Sequence, residues 1–152
     1  MELSRELSVM LRMGMNKCYI SGPISGMENL NIESFNNAEI ELKKLGFNTV
    51  NPHSIVKGNK EVDLLVMQMT ETKNPSVIES NKREIWNICM KLDIKELLDC
   101  NCVAVLRGWQ TSKGATMEIL IAQKLGLKVF YAETLEEFDY IFNITRHGKD
   151  II

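Results

Sequence analysis

The stretch "CVAVLRGWQTSKGATMEILIA", residues 102–122, decides the fold. Cys102 to Leu106 are apolar without a break. A strand that does not alternate is buried on both faces, as in a parallel sheet covered by helices. The loop "RGWQTSKG" follows, and "ATMEILIAQKL" predicts a helix that stops at Gly126. Strand, loop and helix in that order are one half of a βαβ unit.

The alternation extends in both directions. "KCYIS", residues 17–21, predicts a short buried strand. "NIESFNNAEIELKKLG" predicts a helix, with Phe35, Ala38, Leu42 and Leu45 at helical spacing and Gly46 as its stop. "FNTV" predicts a second strand, ended by "NPHS". Residues 56–82 are polar and irregular apart from Leu64, Leu65, Val66 and Met67, and are expected to form a loop with one helical turn. "NKREIWNICMKLDIKELLDC" predicts the next helix, with Ile85, Ile88, Cys89 and Leu92 along one face. "LKVFY" predicts a fourth strand. Thr134 and Glu137, in capping-box spacing, predict a last helix. The expected architecture is α/β: a parallel sheet with helices on both faces.

Bulk properties narrow the function. At 152 residues the chain is expected to be one domain. A net charge of −2 supplies no basic field, which argues against nucleic acid as the main partner, and no stretch resembles a membrane span. The four cysteines, Cys18, Cys89, Cys100 and Cys102, match no zinc spacing and read as reduced thilols of a cytoplasmic protein; no metal or cofactor is expected. Residues 1–14 carry Leu3, Leu7, Met10 and Leu11 at helical spacing, while Glu2 and Glu6 argue against a signal peptide. They are either an added helix, packed on the domain or on a partner subunit, or the product of a misplaced start, since Met13 and Met15 precede the first strand. Residues 15–152 form the domain proper.

In a parallel sheet, ligands bind beyond the carboxyl ends of the strands. That rim gathers residues 21–26, 51–54 and 107–118. Glu118 lies about one turn into its helix, where it can face the pocket or be a solvated helix glutamate. Asp93 is a poor helix former placed mid-helix, either functional or paired with Lys91 or Lys95 at the surface. Two carboxyl groups near one pocket suit glycosidic chemistry, one as nucleophile and one handling the leaving-group proton. Tyr19 can orient the nucleophile or be a core aromatic. Ser21, Gly22, Pro23, Ser25, Gly26, Ser112 and Gly114 form two Gly/Ser loops able to hold an anion or to make ordinary turns. His53 can contact substrate or hold its loop, and Trp109 can stack on a base or anchor its loop.

The ordered set "YISGPISG", "NPH", "LDIKELLDCNCVAVLRGW" and "SKGATMEILIA" with "LGLKVF" resembles the nucleoside 2-deoxyribosyltransferase-like family, especially a branch of small bacterial and phage proteins. The resemblance spans residues 17–131 and implies a flavodoxin-like or Rossmann-like sandwich. It implies that Glu118 attacks C1′ of a 2′-deoxyribose, that Asp93 protonates or positions the departing base, and that Tyr19 orients Glu118. A second base as acceptor makes a transferase; water makes an N-glycosidase. The classical transferases carry an aspartate where this chain has Ser112; the branch that cleaves deoxynucleoside 5′-monophosphates has a serine there, as this chain does, and that serine helps hold the phosphate. That branch, however, has a serine and an arginine where this chain has Pro23 and Ser25. Without that arginine, phosphate binding would fall to amides, hydroxyls and Lys113 or Arg107. Leu120 stands where the family has glycine. The resemblance also implies a homodimer or larger homo-oligomer. The alternative is a module that binds a nucleotide without chemistry. A flavin or receiver domain is disfavoured, since the flavin phosphate loop and the receiver's acidic cluster are missing.

Overall fold

The computed structural model describes residues 2–138. Four strands, β1 (Lys17–Ser21), β2 (Asn48–Val50), β3 (Cys102–Val105) and β4 (Lys128–Tyr131), form one sheet in the order β2-β1-β3-β4, with every pair parallel. The helices are α1 (Arg5–Arg12), α2 (Ile32–Leu45), α3 (Pro52–Val56), α4 (Lys60–Glu71), α5 (Pro75–Leu97) and α6 (Lys113–Lys124). The strand order turns back between β1 and β3: the chain leaves β1 towards β2 on one side and leaves β3 towards β4 on the other. This is the switch point of a doubly wound, flavodoxin-like sheet, where the two diverging connections open a crevice.

The sheet separates two apolar layers. Cys18, Ile20, Cys102, Ala104 and Phe130 face one side and pack with Leu7 of α1 and with Phe35 and Leu42 of α2. Tyr19, Val103, Val105 and Val129 face the other and pack with Leu97 of α5 and with Ala115, Ile119 and Ala122 of α6. Successive side chains on a strand point to opposite faces, so β3, covered on both, is apolar throughout. The result is a three-layer α/β sandwich. Among the described residues no helix is long and apolar enough to cross a membrane.

Three expectations need correction. Residues 56–82 are largely helical, not a loop. Asn59 caps α4 by accepting the Val62 amide at 3.0 Å, and Asn74 caps α5 by accepting the Ser76 amide at 3.0 Å, with Pro75 at the first helical position. The Asn81 side-chain amide then ties the two helices together by donating to the Leu65 carbonyl and to Gln68 Oε1, both at 3.1 Å. Second, the buried face of α5 runs through Met90, Asp93 and Leu97, while Ile85, Ile88, Cys89 and Leu92 are half-buried. α5 packs against α3, α4 and α6, so its apolar residues spread around the helix. Third, no helix starts at Thr134. The Thr134 hydroxyl accepts the Glu136 amide, Leu135 takes a left-handed φ of 65°, and Glu137 bridges back to Phe130. Residues 139–142 of that expected helix lie outside the described residues.

Candidate active site

The carboxyl cluster at the switch point is built from β1, α5 and α6. Tyr19 and Ser21 alternate with core residues on β1 and face the α5–α6 layer. Their hydroxyls converge on one carboxyl group. Tyr19 donates a hydrogen bond to Glu118 Oε2, and Ser21 donates to Glu118 Oε1 at 2.8 Å. Glu118 is 4% exposed and Asp93 6%. Asp93 Oδ1 is buried with no hydrogen-bond partner among the described residues. A buried polar atom left open is costly unless something occupies it in the working state.

The electrostatics separate the two carboxyl groups. Burial pushes Glu118 up to about 7, opposed by the hydrogen bonds from Tyr19 and Ser21, which favour its charged form. Burial pushes Asp93 up further, to about 8, and the nearby Glu118 charge adds to the rise. The Tyr19 phenol is raised well above its ordinary value, first by burial and then by the charges of Glu118 and Asp93, so it stays a donor. Only Glu118 has hydrogen-bond donors that favour its charged form, so of the two carboxyl groups Glu118 is the one placed to ionise first, leaving Asp93 to keep the proton.

The α6 helix follows β3 and starts on the carboxyl rim of the sheet. Ser112 is its cap, accepting the Ala115 amide at 3.1 Å. Gly114 lies against α5, where a Cβ would meet Met90 Sδ at 3.2 Å. Gly22 is required for a different reason: a Cβ there would stand 2.7 Å from Leu106 Cβ, so only glycine lets the loop cross the end of β3. Pro23 is buried and its carbonyl accepts Asn31 Nδ2 at 2.9 Å, whereas Ser25 and Gly26 are exposed.

His53 begins α3, with its amide held by Asn51 Oδ1 at 3.0 Å and its ring edge-on to Phe35 at 4.9 Å. Burial lowers its pKa, and Nε2 is buried without a partner among the described residues. Trp109 is not drawn into the carboxyl cluster. It is buried, stacks on Phe138 at 5.4 Å, and edges a separate cleft of about 290 Å³ shared with Arg107, Tyr131 and Glu133. Arg107 is paired with Glu133 at 2.8 Å.

One aromatic residue at the site escaped the sequence reading. Trp86 lies on α5 two turns before Asp93, and Lys113 Nζ sits 4.5 Å from its ring centroid. The signal was its spacing of seven from Asp93, which places both on one helix face. No group of three or more His, Cys, Asp or Glu side chains among the described residues is placed to hold a metal ion.

A search of curated proteins returns no match. A family model described as "Domain of unknown function (DUF4406)" matches residues 16–78 and 65–131, segments that together include Tyr19, Asp93 and Glu118. By that match over most of its length, the chain belongs to the DUF4406 family.

Proposed function

We propose that the chain cleaves or transfers the N-glycosidic bond of 2′-deoxynucleosides or their 5′-monophosphates through a covalent deoxyribosyl intermediate on Glu118. One observation carries the reading: a buried glutamate held by two hydroxyl donors lies beside a second buried carboxyl group of higher pKa. Paired carboxyl groups with separated pKa values divide into nucleophile and acid.

In the first step a Glu118 carboxylate oxygen bonds to C1′ as the C1′–N bond breaks. The bond electrons go to the base nitrogen, and Asp93 gives its proton to the departing base. Tyr19 and Ser21 hold the carboxylate in line. In the second step water or another base attacks C1′, Glu118 leaves as carboxylate, and Asp93 takes back a proton. General acid assistance of this kind contributes roughly 10²–10⁴-fold in rate.

Acid-quenched single-turnover reactions followed by peptide mass analysis test the route. The expected result is a deoxyribosyl adduct on the peptide containing Glu118. Base release with that peptide unmodified throughout the turnover would overturn the covalent step. Transfer is separated from hydrolysis by adding a second free base and looking for the exchanged nucleoside. The reading also expects a homo-oligomer and a nucleoside or nucleotide as the small-molecule partner.

A further inference from the structure

We infer that the Met90 side chain is the gate of the site: lying across the α5–α6 seam on Gly114, it covers the Asp93–Glu118 pair and swings aside to admit a substrate. The gate rests on the N-glycosidic reading above and controls access to that same site.

The placement follows from chain direction. β3 and β4 are parallel, so α6, which joins them, runs from the carboxyl rim of the sheet to its amino side. α5 leads into the amino end of β3 and runs the same way. Met90 is three residues before Asp93, and Gly114 is four before Glu118. Each shares a helix face with its carboxyl group and lies about one turn nearer the rim. At that level the two helices touch. A Cβ on Gly114 would stand 3.2 Å from Met90 Sδ and 3.9 Å from Met90 Cε. Glycine is a poor helix former; here its bare backbone is the bed on which the Met90 thioether lies. One turn further out, Trp86 is half-buried and Lys113 is exposed. Met90 is itself buried, so it marks the boundary between the covered pair and the wet rim.

The pair beneath is shut off from solvent. Tyr19 and Ser21 are fully buried, and Glu118 and Asp93 nearly so. A sugar carbon cannot come to bonding distance of Glu118 while that packing holds, so part of it has to move. Tyr19 and Ser21 lie on β1, an interior strand of the sheet. Ala115 and Ile119 of α6 and Leu97 of α5 are locked into the core. Met90 differs in kind: its side chain is unbranched, turns about three bonds and repacks easily. Beside Gly114 no Cβ stands in its way. Asp93 Oδ1, buried and unpartnered among the described residues, is an independent sign that the space under the gate takes up a ligand.

Two readouts test the gate, the first without any substrate. Met90→Ala removes the cover, and Met90→Leu restores an apolar group of similar volume. Met90→Val, a smaller truncation, replaces the alanine variant if that one does not fold. The first readout is the melting temperature from pH 4 to pH 8. Besides the two carboxyl groups, the titratable groups bearing on the pair are Tyr19 from β1 and Cys89 from α5, and both are raised above this range. Burial is the largest cause of the raised carboxyl groups, so water admitted at Met90 brings them down and flattens the decline of stability with pH. Met90→Ala should therefore lose most against wild type at pH 4 and least at pH 8, while Met90→Leu follows wild type. A loss that is the same at every pH would make Met90 ordinary core packing and overturn the gate. The second readout is the kinetics of base release. A gate that is mostly shut weakens apparent binding by the fraction that is open, so Met90→Ala should lower KM roughly threefold to tenfold, with kcat falling as water reaches the pair. A KM unchanged or raised would also overturn the gate, while leaving the N-glycosidic reading intact. If no substrate releases base, that reading fails, and the melting comparison decides the gate alone.

Discussion

Glu118 is subject to two opposed influences. Burial favours its neutral form, and the hydroxyls of Tyr19 and Ser21 favour its charged form. Asp93 has burial and a neighbouring negative charge, both raising it, and Oδ1 has no donor among the described residues to oppose them. Activity requires Glu118 ionised, so the rate should rise with pH through about 7; it requires Asp93 protonated, so the rate should fall through about 8. The pair titrates together, and the two limbs of the narrow bell belong to the pair. Asp93→Asn should remove the alkaline limb and lower base release by roughly 10²–10⁴-fold. A pH–rate profile with its alkaline limb intact in that variant would contradict the assignment. Tyr19→Phe removes a bond that favours the carboxylate, so the acid limb should move to higher pH, with turnover lowered about tenfold. An acid limb that stays in place would show that Tyr19 does not tune Glu118. Asp93 was legible because an aspartate mid-helix beside apolar residues is unusual. The hydrogen bond from Ser21 was not, because its place in the glycine-rich loop masked its position as the last inward residue of β1.

Between β1 and β3 the loop at Gly22 depends on close backbone approach. Adding a methyl group would place it 2.7 Å from Leu106 Cβ, close to the start of the side chain rather than its flexible end. Gly22→Ala should therefore destabilise the fold by about 1–3 kcal/mol, measured as a lower midpoint in denaturant unfolding. An unchanged midpoint would mean that the loop moves freely over β3. The strands and the helices α2 and α6 were readable because their apolar residues repeat against a core. α4 was not, for a physical reason: it buries none of its residues fully, and Leu64, Val66 and Met67 are exposed. Helical spacing is visible only when one face meets a core. The caps Asn59 and Asn74, with Pro75, were the remaining signals, and they lie in residues whose polarity suggested a loop. α5 starts at Pro75, six residues before the apolar pattern becomes visible at Asn81, so Trp86 lies well inside the helix rather than in its first turns.

Across the whole molecule, the site sits at the switch point of a small sheet and works against stability. Two carboxyl groups whose folded pKa values lie above their unfolded ones make the folded chain hold more protons than the unfolded chain. Stability should therefore decline as pH rises from about 4 to about 8, the window between the unfolded and folded values. Glu118→Gln removes one of these groups. Its melting temperature relative to wild type should rise progressively over that window, and a difference independent of pH would contradict the burial of a titrating Glu118. Strand and helix alternation sufficed to predict a parallel sheet covered by helices. The order β2-β1-β3-β4 needed the structure, because a βαβ unit specifies handedness and not which neighbour a strand will take.

The most direct measurement is chromatography of free base released from deoxynucleosides and deoxynucleoside 5′-monophosphates by the wild-type chain and by Glu118→Gln. The account predicts base from wild type, with release reduced to background in the variant while substrate still binds. Equal release by the two proteins, or no release from any substrate by wild type, would contradict it.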